Sequence, residues 1–338
     1  MTFRANREPE PVAAAGSGTA TATRVSLGFS IVDYGIVIAF VILCVALSVL
    51  TPTFLTSGNV LNVGRQVSIV AILAAGQTFV ILTAGIDLSV GSVLALSGAV
   101  AAGVAASAGW GPGIVAGLLV GAGAGLLNGL AITRLLVPDF VATLAMLSIA
   151  RGATLIYTGG QPIAVGDGGL RFLGAGELGP IPVPIVVMLI VFAVAIVVLR
   201  STTLGRYVYA TGGNRRAAAF SGINVNRVRI LVYVVSGLLA GLAGVVLTGR
   251  LATADPQAGV GYELDSIAAV VLGGTSLFGG EGTVARTLLG ALILGVLSNG
   301  MNLLDVSPFY QEVVKGVVIV IAVAFGNLDQ LRHRALGA

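Results

Sequence analysis

Residues 83–99 read TAGIDLSVGSVLALSGA, and Asp87 is the one ionisable group among them. Upstream, residues 66–86 hold no charged side chain, and downstream the next charge is Arg134. The rest of the chain is equally averse to charge. Charged residues make up 9% of it, hydrophobic residues 56%, and the mean hydropathy is +1.02. A soluble domain usually carries about 25% charged residues, so the surface of this protein is made for lipid. The 49 glycines fit the same solvent, because glycine lets membrane helices approach closely.

A helix crossing about 30 Å of hydrocarbon needs roughly 20 residues. Charges and turn residues cut the chain into ten such pieces, near 34–51, 67–84, 89–107, 113–132, 139–157, 182–199, 229–249, 264–278, 287–303 and 311–327. The fold class is therefore an all-α polytopic integral membrane protein of about ten transmembrane helices, some short or broken. The stretch 264–278 is the shortest, with only 15 residues between Asp265 and Glu281, which suits a short or re-entrant helix. The domain reading is a disordered cytosolic tail (1–32), a membrane domain (33–328) with a cytosolic loop at 200–228, and a cytosolic C-terminal tail (329–338).

Arginine sets the expected orientation. With the N-terminus inside, ten spans return the C-terminus inside. The cytosolic side then holds Arg4, Arg7, Arg24, Arg134, Arg200, Arg206, Arg215, Arg216, Arg227, Arg229, Arg286, Arg332 and Arg334. The outer side holds Arg65, Arg151, Arg171, Arg250 and Lys315. The inverted arrangement would violate the preference for positive charge inside.

Composition excludes several chemistries. The net charge of +4 is scattered, with no basic block for nucleic acid. One cysteine, Cys44, and one histidine, His333, leave no disulfide and no His/Cys metal centre. No G-x-x-x-x-G-K-[ST] stretch is present, so ATP has no phosphate loop in this chain. A membrane enzyme would lack a nucleophile–base set. An ion-coupled transporter would draw on only Asp87, Asp265, Glu312 and Lys315 near the spans.

Two readings of Asp87 stand open. It can cap the helix that follows, since a side-chain oxygen there accepts from free N–H groups, in a tight turn near the cytosolic side. It can also line a path, since ionisable groups inside membrane segments are usually functional. Ser89, Gln77, Asn128, Thr143, Asn299 and Asn302 are the further path candidates, being polar residues placed in or beside spans. LGGTSLFGGEG (272–282) loosely echoes TAGIDLSVGSV (83–93), and paired broken segments mark pathways in transporters. Glu263 and Asp265 of YELD are expected at the outer mouth, either as a solvated rim or as a docking contact.

The loop at 200–228 contains RRAAAFSGINVNRV, which predicts a short amphipathic helix ending near Gly222. Arg216-Ala217-Ala218, three residues, then Gly222 resembles the "EAA, three residues, G" signature of bacterial ABC importer permeases, with Arg216 where the signature has Glu. The segments at 82–99, 205–244, 261–283 and 290–304 resemble the monosaccharide branch of that family, the ribose-, xylose-, arabinose- and galactoside-type permeases. The likeness runs over roughly residues 35–327.

That resemblance implies a permease in the bacterial cytoplasmic membrane that imports ribose or a similar monosaccharide, without a catalytic site of its own. A nucleoside or furanose-like signal molecule is the alternative cargo. It also implies a permease homodimer, a separate ABC ATPase subunit using ATP–Mg, and a periplasmic or lipid-anchored sugar-binding protein. Arg215, Arg216, Ala217, Ala218 and Gly222 would form the loop that seats on the ATPase, the arginines meeting acidic rims or anionic lipid. Gly222 would turn the chain through a positive φ.

Overall fold

The computed structural model describes residues 31–166, 168–318 and 320. The expected tails at 1–32 and 329–338 lie outside these residues almost entirely, as does the end of the tenth expected span. The helices are α1 (Ile31–Leu50), α2 (Ser57–Leu82), α3 (Val90–Ala108), α4 (Trp110–Arg134), α5 (Asp139–Thr158), α6 (Gly169–Ala175) and α7 (Val183–Ser201). They continue with α8 (Thr203–Gly213), α9 (Arg215–Phe220), α10 (Val225–Leu251), α11 (Tyr262–Leu272) and α12 (Val284–Leu303), then α13 over residues 308–318. Two minimal hairpins accompany them. β1 (Ile163–Ala164) pairs antiparallel with β4 (Thr253–Ala254), and β2 (Glu177–Leu178) pairs with β3 (Ile181–Pro182).

A helix stands at nine of the ten expected positions and over the described first half of the tenth. Seven of them, α2, α3, α4, α5, α7, α10 and α12, are long and apolar enough to cross a membrane. α11 has 11 residues, about 16 Å at 1.5 Å per residue, which is half a crossing. The expected span 67–84 begins ten residues earlier than its apolar stretch, because Thr56 caps α2 by accepting from Asn59 N. The segment 200–228 holds two helices where one was expected. Thr202 starts the additional one, α8, by accepting from Gly205 N at 3.3 Å.

α2 is the centre of the bundle. From Val67 to Leu82 every residue except Val70 is buried. α10 packs along it and crosses α4 at backbone distance, and the sequence says why. Gly117, Gly121, Gly125 and Gly129 repeat every four residues along one face of α4, opposite Gly237 and Gly241 on α10. A Cβ on Gly121 would collide with Gly237 O, and one on Gly125 with Tyr233 O. Small residues at this spacing let backbones touch, which is how helices associate where lipid supplies no hydrophobic drive. The close crossing carries the polar face of α10 up to α2 and α3.

Gly121→Ala should therefore lower the thermal stability of the detergent-purified protein, because overpacking costs about 1–3 kcal/mol. Gly123, whose Cβ would meet nothing within 4 Å, is the control, and Gly123→Ala should be neutral or mildly stabilising. Equal behaviour of the two variants would refute the backbone contact.

Candidate functional site

The connection between α2 and α3 is where the polar side chains gather. α2 closes with a Schellman motif: Ala84 N donates to Ile81 O at 2.8 Å and Gly85 N to Val80 O at 3.1 Å. The left-handed position of that motif usually holds glycine, yet here it holds Ala84 at φ +56°. The chain then runs back along α2 and reaches the level of Gln77 before α3 begins. The segment expected as a tight turn at 85–88 is thus a non-helical stretch sunk into the bundle.

Its backbone cannot reach water, so side chains complete its hydrogen bonds. Ile86 O accepts from Thr143 Oγ1 on α5 at 3.3 Å and from the Tyr233 hydroxyl on α10 at 3.4 Å. The Gln77 carboxamide lies flat against the Asp87 peptide. Oriented to satisfy both partners, its Nε2 donates to Asp87 O and its Oε1 accepts from Asp87 N, each at 3.2 Å.

The Asp87 carboxylate is held by three neutral donors. Oδ1 accepts from Ser89 N at 3.0 Å and Ser89 Oγ at 2.6 Å, and Oδ2 accepts from Ser236 Oγ on α10 at 2.9 Å. Asn128 Nδ2 on α4 donates to Ser89 Oγ at 3.0 Å. Asp87, Gln77, Ser89, Asn128, Thr143 and Ser236 are each at most 2% exposed. Asp87 is not the helix cap. Ser89 occupies the cap position, and Asp87 makes a turn with Ser89 while tying the break to α10.

Beside this network lies an ionic one. Asp139, in the first turn of α5, pairs with Arg229 and accepts from the Tyr233 hydroxyl at 3.0 Å. Gly85 is required here, since a Cβ would come 2.8 Å from the Tyr233 hydroxyl and 2.9 Å from Asp139 Oδ2. Arg215, at the start of α9, donates to Thr83 O and Ala84 O at 3.1 Å each. Burial lowers its pKa and Arg229 adds to that, against the opposing pull of Asp139 and Tyr233.

The remaining expected site residues lie elsewhere. Asn299 exchanges hydrogen bonds with Asn59 at 2.9 Å, and Asn302 accepts from Gln311 at 2.8 Å, all at the far end of α2 from the break. Glu263 is half-buried. The 255–263 connection dips inward, so that a Cβ on Gly91 in the first turn of α3 would collide with Glu263 Oε2. Arg151 holds this dip by donating to Pro256 O at 2.6 Å and Ala258 O at 3.0 Å. Asp265 pairs with Lys315 of α13 at 3.4 Å.

α9 forms as expected near Gly222. Asn214 caps it by accepting from Ala217 N at 3.0 Å, and a Schellman motif closes it with Gly222 at φ +84°. Ala217 and Arg216 face out, Phe220 is 92% exposed, and Ala218 is buried. Arg215 is exposed as well, and its guanidinium reaches back to the end of α2.

Ser236, Tyr233, Arg229 and Asp139 were not among the expected site residues. Arg229, Tyr233 and Ser236 follow the i, i+4, i+7 spacing of one helical face in an otherwise apolar stretch, and that signal could have identified them.

A family model described as "Branched-chain amino acid transport system / permease component" matches residues 59–323. The chain is 50% identical over 300 residues to the ribose import permease protein of Escherichia coli strain K12, covering 87% of this chain and 93% of that protein. It is 52% identical over 286 residues to the ribose import permease protein of Bacillus subtilis, covering 83% and 88%. The D-allose transport system permease protein of Escherichia coli strain K12 is 40% identical over 300 residues, covering 87% and 91%. No solved structure matches the chain.

Asp87→Asn keeps two of the carboxylate's acceptor contacts and offers Ser236 an N–H, so it should fold at near-normal yield. Asp87→Ala strands Ser89 N, Ser89 Oγ and Ser236 Oγ, and leaving buried polar groups unpaired costs about 1–3 kcal/mol each. Its folded yield and thermal midpoint in detergent should fall clearly below those of Asp87→Asn, and parity would show that the network does not hold the break.

Proposed function

The chain belongs to the monosaccharide branch of the bacterial ABC importer permeases, and on that premise we propose that its cargo is ribose. It is a multi-pass protein of the inner membrane and a transport subunit without a catalytic domain. The observation that carries the sugar is the gradient of likeness. Identity is 49–52% to ribose import permease proteins, 40% to the D-allose permease and 37–38% to L-arabinose permeases. A nucleoside or furanose-like signal molecule is the competing cargo, and an ion-coupled mechanism the competing class.

In this reading the permease works as a homodimer in membrane lipid with N- and C-termini in the cytosol. A sugar-binding protein delivers ribose from outside, and a separate ATPase subunit spends ATP–Mg inside. α9 is the docking helix: it is short, capped at both ends, and presents Ala217 and Phe220 outward. The path passes the break at 83–89, where Gln77, Asp87, Ser89, Asn128 and Thr143 are joined by Ser236. A sealed path in an apolar bundle must offer polar groups that can trade partners. The net value of a hydrogen bond is only about 0.5–1.5 kcal/mol, so exchanging these mutual bonds for sugar hydroxyls is nearly even in energy. Asn299 and Asn302 serve as interhelical glue, and Asp265 is paired with Lys315.

Cells expressing this chain with its ATPase and binding protein should accumulate radiolabelled ribose, with unlabelled allose and arabinose competing less well than ribose. In the same intact cells a Gly166→Cys label, in a Cys44→Ala background, should react with an impermeant thiol reagent. Uptake that survives inactivation of the ATPase but collapses with a protonophore would favour the ion-coupled class. A nucleoside outcompeting ribose would reassign the cargo.

A further inference from the structure

α8 and α9 together touch both broken segments of the bundle. Arg215 of α9 bonds to Thr83 O and Ala84 O at 3.1 Å each, where the break that carries Asp87 begins. Six residues earlier Tyr209 of α8 donates its hydroxyl to Gly282 O at 2.9 Å, in the segment between α11 and α12. The two segments also meet each other, with Gly280 N donating to Leu82 O at 3.0 Å. Gly212 and Gly280 are required there, because a Cβ on Gly212 would overlap Leu82 O and one on Gly280 would come 2.8 Å from Gly213 Cα. Three pieces of chain thus close on the C-terminal end of α2, and side chains of α8 and α9 reach the other two.

The joint that Arg215 holds is a strained one. Ala84 sits at φ +56° in a position suited to glycine, and such backbone persists only where its surroundings enforce it. Both bonds come from one nitrogen, Nη2, whose two hydrogens address adjacent carbonyls, so a lysine ammonium reaching the same place could make them in part.

We infer that Arg215 is a positioning residue for transport: it passes displacement of α9 to Thr83 and Ala84 and so to Asp87, while Tyr209 passes the same displacement to the segment before α12. The inference rests on the reading of α9 as the ATPase-docking helix. It separates two roles within that helix. The outward Ala217 seats on the ATPase, and Arg215, exposed but bonded back to Thr83 O and Ala84 O, moves the break.

The test uses the full complex of permease, ATPase and binding protein in liposomes. For Arg215→Ala, Arg215→Lys and Tyr209→Phe it reads ATPase retained on purification, ATP hydrolysed, and ribose taken up per ATP. Arg215→Ala should keep its ATPase while uptake per ATP falls about fivefold or more, the lower edge of coupling between sites. Arg215→Lys should recover part of the loss, and Tyr209→Phe should fall in the same direction by less. Ala217→Trp marks docking and should lose the ATPase itself. Unchanged uptake per ATP in Arg215→Ala overturns the inference, and so does loss of the ATPase from that variant, which would make Arg215 a docking contact. An Ala217→Trp complex that keeps its ATPase removes the docking reading instead, independently of the Arg215 result. Should Arg215→Ala fail to insert, the same ratio measured on Arg215→Lys and Tyr209→Phe decides.

Discussion

A peptide group inside a membrane bundle cannot be satisfied by water, and residues 86–88 run there between the end bonds of α2 and the first bond of α3. Every nearby feature answers that constraint. Gln77 pairs with both sides of the Asp87 peptide, Thr143 and Tyr233 serve Ile86 O, and Asp87 itself serves Ser89 N. An unsatisfied group in that position costs several kcal/mol, so the break and its polar neighbours exist together or not at all. The isolated aspartate in an otherwise charge-free stretch belongs to this arrangement. Its carboxylate supplies the acceptors that join the start of α3 to α10.

Close helix crossing makes the arrangement possible. Ser236 and Tyr233 reach the break only because α10 lies against α4 at glycine-to-glycine distance, and Gly85 leaves room for the Tyr233 hydroxyl and Asp139. α2 supplies the fixed wall, buried over most of its length. One end of the molecule therefore concentrates the polar machinery: the end of α2, the starts of α5 and α10, α8, α9 and the segment before α12. The opposite end carries the Asn59–Asn299 pair and the two small hairpins.

Much of the helix pattern was legible in the sequence, because charges and Gly/Pro turns punctuate long apolar runs. Depth was not. Residues 85–88 read as a tight turn near the cytosolic side since the contact that draws them inward is with Gln77, one polar residue in an apolar helix. Glu263 read as a rim residue because YELD is polar, while its position depends on Arg151 holding the preceding connection down. Gly222 was readable, since RRAAAFSG carries its own stop signal. The bond from Arg215 to the end of α2 was not, because its partners are carbonyls of another segment and leave no trace in composition. Of the expected path residues, Gln77, Asp87, Ser89, Asn128 and Thr143 converge, whereas Asn299 and Asn302 share only their polarity with them.

The central claim is that the break is a sealed part of the bundle that opens during transport. Ser89→Cys, a near-isosteric change at a site 1% exposed, reports on it directly in a Cys44→Ala background. In the full liposomal complex this thiol should resist a small polar alkylating reagent at rest and react during ATP turnover with ribose and binding protein present. Rapid labelling at rest would place residues 83–89 in a surface turn and contradict the claim. Protection under both conditions would show a sealed break that never opens, and would contradict it equally.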